Sequence, residues 1–141
     1  MSDFITPDDY GASIHAEILD SVIRSNQANL ETCEDRAVAE MRGYLRSRYD
    51  VDSIFAARGP ERNPLVLMRA IDIAIYHALC AHNPQKMSPL RLKRYDDAME
   101  WLRRAQTGEV VIDGAPTLPP ADLARNGGYL MESNRKRVCR L

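Results

Sequence analysis

Cysteine is scarce in these 141 residues and is never paired locally: Cys33, Cys80 and Cys139 stand far apart, and no CxxC occurs. Three scattered cysteines, odd in number, support neither a disulfide framework nor a zinc knuckle. Buried free thiols in a reducing compartment are the expectation. Also missing are the phosphate-cradling patterns GxxxxGKS/T and GxGxxG, the nucleophile elbow GxSxG, and any arguable Ser/His/Asp arrangement. No catalytic or cofactor-binding residue is therefore expected. There are no internal repeats, and the net charge is only −1, which is not the balance of a bulk nucleic-acid binder. The longest apolar run, Leu65–Ala81, carries Arg69, Asp72 and His77; it is short for a bilayer, and no membrane span is expected. The opening "MSDFITPDD" is acidic where a secretory leader is basic and then apolar, so a cytosolic protein is expected.

The residues that resemble chemistry lose that reading once their spacing is considered. His77 and Cys80 are three apart and share a helix face, while His82 projects elsewhere. A tetrahedral metal site needs three or four convergent ligands, and no metal is expected. Cys80 reads as a small core residue and His77 as a partly buried side chain with a hydrogen-bond partner. Asp8-Asp9 and Asp96-Asp97 are adjacent pairs, about 100° apart on a helix, so neither is a converging acid–base dyad.

What is present is helix punctuation, and the length suits one domain. "TPDDY" offers Thr6 as cap, Pro7 at the first position and two acids in the first turn. Tyr10, Ile14, Ile18 and Val22, with Leu19 and Ile23, follow at helical spacing up to the break "SNQAN" (25–29). Gly11 allows this stretch to be two short helices. A segment of about 30–48 presents Leu30, Cys33, Ala37/Val38, Met41 and Tyr44/Leu45 on one face. "RYDVDSIFAARGPERNP" reads as a loop pinned by Ile54 and Phe55. Asn63 and Pro64 then open an apolar helix, on which Arg69, Asp72 and Tyr76 form one buried polar seam. "NPQKMSP" stops it. Ser88 and Pro89 start a helix with the stripe Leu92, Tyr95, Met99, Leu102 and Gln106, ended by Gly108. "EVVID" reads as a short strand. The expected fold is all-α: a compact bundle of four to five helices over 1–113, with an extended or disordered basic tail over 114–141.

Charge is unevenly spread. Residues 1–40 hold nine acids against Arg24 and Arg36, a balance of −7, so the remainder carries +6. The densest basic cluster is Arg135, Lys136, Arg137 and Arg140, in a tail whose apolar anchors are Tyr129, Leu130, Met131 and Leu141. Three readings of that cluster stay open: a solvated tail, non-specific nucleic-acid contact, or docking on an acidic protein surface.

"FITPDDY", "YLRSRYD" (44–50), "IDIAIYHAL" (71–79), "RYDDAMEWLRRAQTGE" (94–109) and "SNRKR" occur in that order. Over residues 4–110 this pattern resembles the Mu-like prophage family of small helical proteins, which are similar to head–tail connector, or neck adaptor, proteins of tailed phages. The resemblance implies a structural subunit that assembles as a homo-oligomeric ring, commonly twelve-fold, beneath the portal. DNA would pass through it without sequence recognition. The implied partners are the portal and tail-side neck proteins, and the implied locations are the host cytoplasm during assembly and the virion neck. The C-terminal extension, including Tyr129, Leu130, Arg135, Lys136, Arg137 and Arg140, would contact neighbouring subunits or the portal. The competing reading is a helical binding module that meets nucleic acid or an acidic protein through that tail.

Overall fold

Caps and prolines start the helices where the sequence places them. In the computed structural model, which describes residues 3–14, 17, 19–20, 27–82, 85 and 87–119, the first turn is a 3-10 helix, Pro7–Ala12, entered through Thr6. Asp9 reaches back so that its carboxylate accepts from both the amide (2.7 Å) and the hydroxyl (2.8 Å) of Thr6. This satisfies a donor that the helix start leaves free. Tyr10 and Ile14 are buried and Leu19 is partly buried; Ile18, Val22 and Ile23 lie outside the described residues.

Helix α1, Gln27–Leu45, buries Leu30, Cys33, Glu34, Ala37, Val38, Met41 and Leu45. The spacing of three and four residues makes one continuous stripe. The stretch expected as a loop contains α2, Val51–Ala56, and a 3-10 turn, Gly59–Glu61. Asp50 caps α2 through its carboxylate to the Ser53 amide and hydroxyl. Ile54 and Phe55 are buried as expected, but they hold a helix rather than a loop against the core.

Helix α3, Pro64–His82, is capped by Asn63, whose Oδ1 accepts from the amides of Leu65 (3.0 Å) and Val66 (3.2 Å). Every residue from Ala70 to Ile75 is buried. A helix buried all round at that level must have neighbours on both flanks: α1 lies on one side and α4, Pro89–Thr107, on the other. Paired contacts fix the directions. Asp72 meets Arg94 and Arg69 meets Trp101, so α3 and α4 run antiparallel, while Glu40 of α1 meets His77 of α3. By length and composition α3 could cross a membrane, yet half of its most apolar window is buried within the bundle.

Helix α4 begins with Ser88 accepting from the Arg91 amide and ends with Gly108 in the left-handed region, φ 85°. Its buried face differs from the expected stripe. Ala98, Trp101, Leu102 and Ala105 face the core, Tyr95 and Met99 are partly buried, and Leu92 is exposed with Gln106. The inner face thus mixes the small Ala98 and Ala105 with the large Trp101 and Leu102, and it is rotated from the expected stripe. "EVVID" forms no strand; Ile112 is buried, and its amide donates to the Tyr49 hydroxyl at 3.0 Å.

The expected boundary at 113/114 moves. The Asp50 amide donates to the Pro116 carbonyl and the Leu118 amide to the Arg48 carbonyl, with an antiparallel bridge between Tyr49 and Thr117. The domain therefore extends through Leu118.

Candidate functional site

Charged groups gather in two places. The first is the α3–α4 seam. Asp72 is buried, its side chain only 2 % exposed, while Arg69 and Tyr76 beside it are half-buried. The seam thus has one buried member and two that reach the surface. Burial pushes the Asp72 carboxyl above its ordinary range, and the attraction of Arg94, Arg69 and Arg91 only partly offsets this. Arg94 Nη1 lies 3.8 Å from Asp72 Oδ1. Arg69 lies over the Trp101 ring, 5.9 Å from its centroid, a cation–π arrangement. Arg91 donates to the Ser13 carbonyl and so ties α4 to the N-terminal segment. Arg69 Nε, Asp72 Oδ1 and Arg91 Nη1 are buried without hydrogen-bond partners. Tyr76 stacks on Tyr95, centroids 3.7 Å apart. Asp72 of the seam thus lies among three arginines, Arg69 on its own helix and Arg91 and Arg94 on α4.

The second gathering fixes the N-terminal segment. Arg62 donates to both carboxylate oxygens of Asp9 (2.6 and 2.9 Å) and to the carbonyls of Phe4 and Gly59. Burial works to raise the Asp9 carboxyl, but the Arg62 and Thr6 hydrogen bonds prevail and hold it below its ordinary value. Tyr10 donates to Glu34 at 2.5 Å within the core. Burial pushes the Glu34 carboxyl up, with the Tyr10 hydrogen bond opposing. This clamp joins residues 53 positions apart (Asp9 and Arg62) and was invisible in the linear sequence; its only local signal is "TPDD".

The remaining candidates scatter. Cys33 is buried but Cys80 is exposed, which corrects its expected place in the core: directly after the buried Ala78 and Leu79, it lies on the outward side of α3. His77 is partly buried, with Nε2 3.3 Å from Glu40 Oε1, though out of hydrogen-bond alignment. Among the described residues, no group of three or more His, Cys, Asp or Glu side chains is placed to hold a metal ion. Tyr129, Leu130, Arg135, Lys136, Arg137, Arg140 and Cys139 lie outside the described residues.

The described residues define a small all-α protein whose buried charges tie its own elements together. The chain belongs to the family described as "Bacteriophage Mu, Gp36", whose model matches residues 4–128. Membership makes it a Mu-like phage protein and points to a role in the phage particle or its assembly. Neither the comparison with curated proteins nor that with solved structures found a match.

Proposed function

We propose that this chain is the structural subunit of a phage head–tail connector, forming a ring beneath the portal that joins head to tail and encloses the DNA passage. The reading rests on membership of the Mu Gp36 family. It is supported by where the bundle leaves large apolar side chains exposed. Leu90 (65 %) and Leu92 (45 %) flank the start of α4, whereas Leu65 (37 %) and Val111 (74 %) lie near the start of α3. The Asn63 amide donates to the Asp113 carbonyl at 2.9 Å, which keeps those last two residues at one end. Because α3 and α4 are antiparallel, the two pairs occupy opposite ends, about 20 Å apart along the helices. A head-to-tail ring needs two different surfaces on every subunit, and opposite ends supply them. The role is assembly without catalysis.

Among the described residues, the exposed charges of α4 are balanced: Lys93, Arg103 and Arg104 against Asp96, Asp97 and Glu100. Such a face offers phosphate no continuous basic stripe. Native mass measurement and electron microscopy of the full chain, alone and with a portal protein, test the proposal. A ring or a portal-bound complex is expected. A chain that stays monomeric in both conditions refutes it. Duplex DNA binding that weakens steeply with salt and disappears on replacing Arg135, Lys136, Arg137 and Arg140 with Ala would instead favour the binding-module reading.

A further inference from the structure

One surface cleft combines an apolar floor with unpaired charge. It lies where the α2–α3 connection meets the returning C-terminal segment. Ile54, Ala57, Pro64, Ala115 and Pro116 line it, and Glu61 and Asp113 stand on its rim. Both carboxylates are exposed and neither has a cationic partner among the described residues. Arg62, which also lines the cleft, is engaged by Asp9 and by two carbonyls. The cleft holds about 280 Å³, a little below the volume usual for small-molecule sites but enough for one or two side chains of a peptide.

Charge complementarity identifies the occupant. The chain leaves the described domain at Pro119, immediately after Pro116 of the cleft wall and the Leu118–Arg48 hydrogen bond. Beyond lie 22 residues, and the last nine, "SNRKRVCRL", carry four cations, no acid, and the apolar Val138 and Leu141. Cations matched to Glu61 and Asp113, with an apolar side chain matched to the floor, are what this cleft lacks. We infer that the cleft of one subunit receives residues 133–141 of a second copy.

Each copy then offers one donor segment and one acceptor cleft, the arrangement that propagates head-to-tail. From Pro119 to Arg135 an extended chain spans about 50 Å, enough to cross to a neighbour. Docking in the subunit's own cleft is the alternative outcome, and it would give links confined to single chains. This inference rests on the ring reading above and adds the surface that carries the contact.

The test uses the full chain, mixed from unlabelled and 15N-labelled preparations and treated with a carbodiimide, which joins a lysine amine directly to a carboxylate. Mass spectrometry should find Lys136 linked to Glu61 or Asp113, with half of the linked pairs joining a light to a heavy chain in an equal mixture. Arg135→Glu with Arg137→Glu should lower that yield about tenfold by removing the electrostatic match. Glu61→Lys with Asp113→Lys should weaken self-association to a similar degree, and combining the two double variants should restore it. Links confined to single chains, links only to other carboxylates, or self-association indifferent to both reversals would overturn the inference. If rings still form on a portal protein under those results, the connector reading survives and only the cleft is wrong. If nothing assembles at all, the connector reading itself fails.

Discussion

Gly108 ends α4 with φ 85°, and replacing it with alanine should be costly for two separable reasons. A β-carbon in the left-handed region costs roughly 1–2 kcal/mol from its clash with the backbone carbonyl. Built on this backbone, that carbon would also lie 2.8–3.0 Å from the Arg48 guanidinium. Arg48 donates from there to the carbonyls of Gln106 (2.7 Å) and Thr107 (3.0 Å), the unsatisfied end of α4. Displacing it loosens two bonds worth about 0.5–1.5 kcal/mol each, toward the low end because they face solvent. The expected total is about 2–3 kcal/mol. Gly43 is the control. It sits in α1 with nothing within 4 Å of a β-carbon, so Gly43→Ala should stabilise by about 0.5–1 kcal/mol through helix propensity. Urea unfolding followed by circular dichroism measures both variants. An Arg48→Ala background removes the steric part, since there Gly108→Ala should cost only the backbone strain, about 1–2 kcal/mol. Equal effects of the two glycine substitutions, or no coupling between positions 48 and 108, would refute the account of this terminus.

Three further outcomes are expected. Glu34 has a carboxyl raised from 4.5 by burial, so its ionisation costs stability as pH rises past that value. Glu34→Gln should therefore be more stable than the parent at pH 7 by up to about 1 kcal/mol, and the two should converge below about pH 4; a less stable Gln variant at pH 7 would contradict this. Asp9 has the opposite sign, its carboxyl held below 3.8, so the stability it contributes is present above 3.8 and fades as pH falls further. Asp9→Ala should cost about 2 kcal/mol at pH 7, because it leaves Arg62 unpaired in a site little exposed to water, and chemical denaturation across pH should show the difference shrinking only below 3.8. Leu90→Ser with Leu92→Ser should leave monomer stability within about 0.5 kcal/mol while reducing ring formation in native mass spectra; unchanged assembly would remove this end from the proposed interface.

Truncation is informative if placed correctly. A cut after Asp113 would remove the partners of Arg48 and Asp50 and confuse loss of fold with loss of contact. A cut after Pro119 leaves every described hydrogen bond of the domain intact and removes residues 120–141, which include the proposed donor segment.

The sequence alone determined the starts of α3, α4 and the opening 3-10 turn and the end of α4, because caps, first-turn prolines and a left-handed glycine act within four residues. Thr6-Pro7, Asn63-Pro64, Ser88-Pro89 and Gly108 stand where those local rules require. It also determined that α3 is the most buried helix, since apolar content does not depend on who the neighbours are. The rotation of α4 could not be read this way: Leu92, expected on the buried stripe, is exposed while Ala98 and Trp101 are buried, because which face turns inward is a property of the packed helices together. The Asp9–Arg62 clamp, the three arginines around Asp72, and the cleft rimmed by Glu61 and Asp113 unite residues from distant parts of the chain. Only the tertiary structure decides them, because long-range charges acquire partners when packing brings them within hydrogen-bond reach and excludes the water that would otherwise screen them.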